Sequence, residues 1–367
     1  MKLQNISLKN YRNSENLELD LTANKVLIIG KNAQGKTNIL ESIYFLSTLK
    51  TPRTSNYLEL INFNANNCEI KTNIIKSNTD IELNYSYNKD KKRELRINHL
   101  KTTPKNFKST LKTVLFSTQD LMLLRGNPAD RRDWLDRAIS QIYPAYDSRL
   151  SKYDKIRIQK NNCLKDFLKT GRINETLLDV FNEQLIITGS NIIYLRKKFL
   201  LEIAKIAKEK HAIISDTETL KISYACDFLT KETEIEEIAE AFKTALEEKK
   251  DEELRRGQAC LGPHRDDVVF YINENEATKF ASQGQQRTVV LALKLSELDI
   301  ICEKTGDEPI LLLDDVLAEL DDLRQNFLLK SINKNTQTII TSVDTLLFEK
   351  EFLEDVKIFN IENGKVI

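Results

Sequence analysis

Eight residues near the start of the chain, Gly30-Lys31-Asn32-Ala33-Gln34-Gly35-Lys36-Thr37, fit G-x-x-x-x-G-K-[ST] at every fixed position. The flanks are the ones this spacing needs. Val26-Leu27-Ile28-Ile29 is a short apolar run of the kind buried strands show, and Ile39, Leu40, Ile43, Tyr44 and Leu46 repeat with helical periodicity. Strand, glycine-rich turn and helix in that order make an anion site. Glycines let successive N–H groups converge on phosphate oxygens, and the helix N-terminus adds partial positive charge. In such a cradle Lys36 contacts the β- and γ-phosphates of a nucleotide and Thr37 places its hydroxyl on Mg2+.

Much later, Ile310-Leu311-Leu312-Leu313-Asp314-Asp315 is an apolar strand ending in two acids. A buried strand that delivers a carboxylate beside a phosphate cradle suits Mg2+, a hard cation that takes oxygen ligands. Adjacent strand residues point opposite ways, so the two acids are expected to differ in role. On this reading Asp314 holds the metal, and Asp315 orients or deprotonates the attacking water.

Between these motifs the chain changes character twice. Leu17, Leu19 and Leu21 alternate with polar residues, and so do Cys68-Glu69-Ile70-Lys71 and Ile81-Glu82-Leu83-Asn84-Tyr85, which predicts an antiparallel sheet. From about Pro128 to Arg256 the periodicity is helical, as in Leu150, Tyr153 and Ile156, or Ile235, Ile238, Ala239, Phe242 and Leu246. The longest uninterrupted pieces read as some 25–30 residues, too short for an extended coiled coil. After Gly257, strand candidates return at Val268-Val269-Phe270-Tyr271-Ile272, at Ile339-Ile340 and at Ile358-Phe359, with a helix candidate from Thr288 to Glu303. The expected fold class is α/β: mixed sheets plus helices in a head assembled from 1–125 and 257–367, with an α-helical lobe inserted at 126–256.

Composition narrows the partners. The 55 basic residues cancel 55 acidic ones, which excludes a uniformly basic nucleic-acid coat, so a DNA-binding surface requires local segregation of charge. Residues 89–112 hold nine Lys/Arg against two acids, and 216–253 hold thirteen acids against five Lys. A charge run is ordinarily a solvated face, and neither stretch is a site by itself. The five cysteines form no C-x-x-C pair, and reduced thiols in a cytosolic protein are expected. No apolar segment follows Met1 and no stretch reaches the roughly 18 apolar residues of a membrane span, so a cytoplasmic protein without a membrane partner is expected.

Ser282-Gln283-Gly284-Gln285-Gln286-Arg287 leads into the helix beginning near Thr288, and places a hydroxyl and free N–H groups at a second helix start. Cradle, serine–glycine turn and two-acid strand, in that order, resemble the ABC ATPase superfamily. Gly262-Pro263-His264-Arg265-Asp266-Asp267, the Leu313-to-Asp321 block, Tyr11-Arg12-Asn13 and Gly126-x-Pro128-x-x-Arg131-Arg132 narrow the resemblance to the RecF family of bacterial DNA repair proteins. It implies an ABC-type P-loop ATPase head in which two copies sandwich ATP. Ser282, Gly284 and Gln285 of one copy would close on the nucleotide held by Gly30–Thr37, Asn38 and Arg12 of the other, with Ala318-Glu319-Leu320-Asp321 at the dimer contact and Gln119 as a metal or water sensor. It further implies ATP-dependent binding to single-stranded or gapped DNA and its junctions with duplex, RecA loading with RecO- and RecR-like partners, and service in replication and the SOS response. Lys91, Lys92, Arg93, Arg96, Arg131 and Arg132 are the candidates for a clamp on the DNA backbone.

Two departures from transporter ATPases matter. Asp315 stands where those carry glutamate, which suits slow hydrolysis and a switch, and Ile340-Thr341-Ser342-Val343-Asp344 has no histidine after the strand. His264 reads either as a general base or as a loop-bonding residue, and Trp134 as core. The alternatives are a transporter subunit, the head of a chromosome-organising complex, which would need long heptad runs, and a nucleotide kinase, which leaves the Ser282 segment unexplained.

Overall fold

The computed structural model describes residues 1–54, 56–172, 174–215, 217–229, 231 and 233–367; Asp216 and Glu232 of the acidic run lie outside the described residues. The chain divides into two compact units, Met1–Leu121 with Arg287–Ile367, and Met122–Gln286. No helix among the described residues is long and apolar enough to cross a membrane. All five cysteines are free.

The first unit opens with β1 (Lys2–Leu3), β2 (Asn5–Tyr11), β3 (Ser14–Asp20) and β4 (Lys25–Ile29), then α1 (Lys36–Thr48). There follow β5 (Asn67–Lys76), β6 (Thr79–Asn88), β7 (Arg93–Ile97), β8 (Leu100–Lys101), α2 (Pro104–Thr110) and β9 (Thr113–Ser117). The expected antiparallel sheet runs β3-β2-β5-β6-β7-β8, with β1 also paired to β5. Alternation sets its face: Leu17 and Leu19 are buried while Glu18 and Asp20 are exposed. The inner face shares one core with α1, where the Phe45 and Tyr85 rings meet edge-on at 4.6 Å.

The second unit comprises α3 (Met122–Arg125), α4 (Pro128–Ile142), α5 (Tyr146–Thr170), α6 (Glu175–Ile214), β10 (Leu220–Ala225), α7 (Ile235–Glu248), α8 (Lys250–Arg256), β11 (Asp267–Ile272), β12 (Asn275–Glu276), α9 (Ala277–Phe280) and the start of α10 (Gln283–Thr305). Here the structure corrects the sequence reading. Helix α6 runs for 40 residues, longer than any piece expected. Gly189 does not break it, because a Cβ there would lie 2.8 Å from Phe242 and 3.2 Å from Tyr153. Close packing offsets the roughly 1 kcal/mol that a mid-helix glycine costs. The unit is also not wholly helical: β10 pairs antiparallel with β11 from Leu220↔Ile272 to Ala225↔Asp267. That pairing keeps 257–286 here, so the chain rejoins the first unit at Arg287 and not at 257.

The returning segment supplies β13 (Ile310–Asp314), α11 (Asp322–Ser331), β14 (Thr338–Ser342), α12 (Lys350–Leu353), β15 (Val356–Glu362) and β16 (Lys365–Val366). These strands complete a second sheet, ordered β16-β15-β4-β14-β13-β9 and parallel except for β16. Its central strands are apolar runs buried on both faces, as parallel strands are. The buried Gln337 just before β14 joins the two sheets. Its Oε1 accepts from Leu3 N at 2.7 Å, and its Nε2 donates to the carbonyls of Leu3 and Ala23 at 3.0 and 3.1 Å.

Candidate functional site

Strand register assembles the site in the first unit. Ile29 pairs with Ser342, Thr341 with Asp314 and Asp314 with Ser117, so the carboxyl ends of β4, β14, β13 and β9 form one edge. The chain leaves β4 at Gly30, where a Cβ would sit 2.3 Å from the Ile361 carbonyl oxygen. It then turns through left-handed Ala33 (φ 66°) and Gly35 (φ 107°) into α1. The hairpin of β15 and β16 holds the outer side: Gln34 Oε1 accepts from Asn363 N at 2.6 Å, and the Gln34 carbonyl accepts from Gly364 N at 2.9 Å. Lys31 and Asn32 are exposed at the tip. Lys36 is 3 % exposed, and its Nζ donates to the carbonyls of Gly30 and Lys31 at 2.5 and 3.3 Å.

Asp314 Oδ1 accepts from two hydroxyls, Thr37 Oγ1 and Thr341 Oγ1, each at 2.9 Å. Burial raises the Asp314 carboxyl above its ordinary range, and the two hydroxyls pull it partly back. Asp315 lies past the end of β13, in the left-handed region at φ 51°. The alternation argument therefore does not reach it. Its N–H donates to Thr341 Oγ1 at 2.9 Å, and its carboxylate turns to within 3.9 Å of Lys36 Nζ. No group of three or more His, Cys, Asp or Glu that could hold a metal occurs among the described residues. The Thr37–Asp314 pair fits Mg2+ all the same, since that ion takes one or two protein oxygens and completes its shell with phosphate and water. Gln119 is exposed on the turn after β9; its neighbour Asp120 accepts from Ser117 N at 2.7 Å.

A charge cluster beside the cradle was legible only in part. Arg12 and Arg53 each meet the buried Glu41 of α1 at 2.8 Å, and Arg53 also donates to Asn38 Oδ1 at 2.8 Å. Asn38 in turn donates to Asn13 Oδ1 at 2.6 Å. Glu41, Arg53 and Thr341 were missed as partners. An acid on the apolar face of α1 was the available signal, because a buried carboxylate requires a cation.

The Ser282 turn belongs to the second unit. Ser282 is exposed, its N–H donates to Gln285 Oε1 at 2.7 Å, and its Oγ accepts from Gln285 N at 3.3 Å, a reciprocal cap on α10. Gln285 also donates to Glu218 at 2.8 Å, and Gln286 Oε1 accepts from Arg125 Nε at 2.7 Å.

The candidate clamp residues separate. Lys91, Lys92 and Arg93 are exposed at the β6–β7 turn, and Lys92 and Arg93 line a groove of about 430 Å³ with Lys101. Arg96 beside them is paired with Glu94 at 2.9 Å. Arg131 is not available to DNA. It is 6 % exposed, forks onto Asp267 at 2.7 and 2.8 Å, and donates its remaining nitrogen to the carbonyls of Leu123 and Gly126. Arg132 is half-buried and donates to the Asp266 carbonyl at 2.7 Å. His264 takes the loop-bonding role: Nδ1 lies 2.7 Å from the Tyr153 hydroxyl, and burial pushes its pKa down to about 3. Trp134 is core, packed on Phe270.

A family model described as RecF/RecN/SMC N terminal domain matches residues 2–366. The DNA replication and repair protein RecF of Bacillus subtilis is 38% identical over 371 residues, covering 100% of both chains. The chain belongs to the RecF family. The RecF protein of Staphylococcus carnosus is 39% identical over 370 residues, again covering 100% of both. Two solved structures of the recombination mediator RecF in the RecFOR pathway match throughout. The ATP form has a TM-score of 0.92 at 32% identity and covers 100% of this chain and 97% of that one. The ATPrS form has 0.90 at 33%, covering 99% and 97%. An Smc head bound to the C-winged helix domain of ScpA matches at 0.56 with 13% identity, a likeness of fold alone. RecF-family membership and the SMC-type head fold agree with the resemblance carried by the sequence motifs.

Proposed function

We propose that this RecF-family chain is an ATP-dependent DNA-binding protein of recombinational repair. The observation that carries the reading is the convergence of Lys36, Thr37, Asp314 and Asp315 at the carboxyl ends of adjacent parallel strands. Lys36 and the amides of Gly30–Thr37 hold the triphosphate, with Asn38 and Arg12 beside it. Thr37 and Asp314 hold Mg2+, which neutralises phosphate charge when bound. Asp315 orients the attacking water, and Thr341 fixes both acids. Gln119 remains a candidate sensor. A short acid in the water position suits a weak, DNA-stimulated ATPase acting as a switch.

Two copies close over nucleotide, the Ser282, Gly284 and Gln285 turn of one meeting the cradle of the other. Lys91, Lys92, Arg93 and Arg96 contribute to a clamp on single-stranded or gapped DNA. The relatives' names, DNA replication and repair and the RecFOR pathway, support a part in replication and repair with RecO- and RecR-like partners. RecA loading, a part in the SOS response and a cytoplasmic location are proposed with them, on the family resemblance of the sequence motifs. The ATPase head, expected at 1–125 and 257–367, is proposed to rest on the first unit, 1–121 with 287–367, and the Ser282 turn comes from the second.

Sedimentation with and without ATP, repeated on gapped DNA, tests the reading. The wild type should pair only with ATP and more completely on DNA, whereas Lys36→Ala should stay single under both conditions. A wild type that remains monomeric with Mg2+, ATP and DNA together would overturn it.

A further inference from the structure

Phe63 is 99 % exposed, the most exposed large apolar side chain among the described residues. It sits in the loop 61–66 that leads into β5, and hydrogen bonds fix that loop on both sides of it. Asn62 N donates to the Asn10 carbonyl at 2.8 Å, and Asn62 Nδ2 to the Arg12 carbonyl at 2.7 Å. Asn62 Oδ1 accepts from Asn64 N at 3.0 Å, and the Asn62 carbonyl from Ala65 N at 2.9 Å. Leu60 and Ile61 just before it reach the core. The phenyl is therefore held outward by a braced turn. It forgoes the stabilisation that burial gives an aromatic ring.

What lies beside the loop carries positive charge. The Asn66 carbonyl accepts from Lys89 N at 2.9 Å, and Asn67 pairs with Asn88 across β5 and β6, so the loop and the β6–β7 turn share one edge of the sheet. Lys89, Lys91, Lys92 and Arg93 are exposed at that turn, against the acids Asp90 and Glu94. Phe63 precedes Asn66 by three residues, which keeps their Cα atoms within about 11 Å. Asn67, at the end of the loop, lines the same groove of about 430 Å³ as Lys92 and Arg93. A single exposed apolar residue means little by itself. An exposed aromatic ring beside a basic groove is what single-stranded nucleic acid uses, with phosphates on the cations and a base on the ring. Duplex DNA keeps its bases stacked on one another and offers the ring no face. The other exposed residues of 61–67 are Asn64, Asn66 and Asn67, which give a docking polypeptide no apolar ground.

We propose that Phe63 is a stacking platform for an unpaired base of DNA whose phosphates run along the Lys92 and Arg93 groove. The inference rests on the DNA-binding half of the proposed function and not on its nucleotide half. It adds a group that separates single strand from duplex, which phosphate contacts alone do not do.

Fluorescence anisotropy with Mg2+ and ATP present tests it, on a labelled oligo-thymidine strand and on a blunt duplex of equal length, over a salt series. Phe63→Ala and Phe63→Trp should both melt like the wild type and keep its ATP affinity, because the ring stands in solvent. Phe63→Ala should bind the strand about tenfold more weakly and the duplex as before. Its log–log salt slope should not change, since no phosphate contact is lost. Phe63→Trp should bind the strand at least as well as the wild type. Lys92→Ala, in contrast, should weaken both ligands and reduce the slope by about 1. Unchanged strand affinity in Phe63→Ala, beside a wild type that binds, would overturn the platform and spare the wider reading. An equal loss on strand and duplex would do the same. If Phe63→Ala loses only the ATP-dependent pairing of copies in sedimentation, the ring belongs to a protein contact and the platform falls. A wild type that binds neither DNA at any salt would sink both.

Discussion

The cradle at Gly30–Thr37 and the turn at Gly262–Asp267 are both tight and glycine-dependent, yet they are built from different material. The cradle presents backbone, and its position depends on the register of strands from both ends of the chain. Its one deep charge, Lys36, is held by the loop's own carbonyls. The second turn is fixed by side chains: Tyr153 lies against His264, and Arg131 against Asp267. Arg131 and Arg132 are neighbours in sequence, but one forks onto the Asp267 carboxylate and the other donates to the Asp266 carbonyl. A backbone site is therefore sensitive to added volume, and a side-chain site to charge.

The largest effect should come from Arg131→Ala, which strands the Asp267 carboxylate and should cost about 3–5 kcal/mol in denaturant unfolding. A loss under about 1 kcal/mol would mean the fork is solvated like a clamp residue. Next comes Gly30→Ala. Its new methyl meets a backbone carbonyl of β15, which cannot rotate away, so about 3 kcal/mol of stability should go together with nucleotide affinity. A tolerated alanine would contradict the backbone account.

His264→Gln should show itself only through pH. The unfolded histidine takes a proton near pH 6.5 and the folded one not until about 3, so between these values the unfolded state binds more protons and stability falls as pH falls. Asp266 works in the opposite sense, because burial raises its carboxyl to about 6 and the folded state protonates first. Removing His264 should thus shift stability in the variant's favour by about 2 kcal/mol between pH 7.5 and 5; parallel pH profiles would show that the ring is not held neutral. The smallest change is expected from Thr341→Val, which leaves the Asp315 N–H without its acceptor and should cost about 1 kcal/mol. Equal stability would remove Thr341 as the brace of the two acids.

The cradle and the two-acid strand were readable in the chain because fixed residue types at fixed spacing perform a local task. The antiparallel sheet was readable from alternation. What lay hidden was set by distant contacts. Gly189 looks like a helix breaker until Phe242 and Tyr153 are seen to need the space. The strand Leu220–Ala225 is short and lies in an acidic run, and only its pairing with β11 makes it a strand and moves the boundary to Arg287. The burial of Arg131 depends on an aspartate 136 residues away, which no local pattern announces.

The strand order also governs how the molecule can be made. β4 and β9 leave the ribosome early, but the two strands that lie between them in the sheet, β14 and β13, are translated only after residue 309. The second unit is continuous and has both β10 and β11 once residue 272 has emerged. A nascent chain halted near residue 300 should hold a protease-resistant lobe beside unpaired apolar strands, a stage at which aggregation competes with completion.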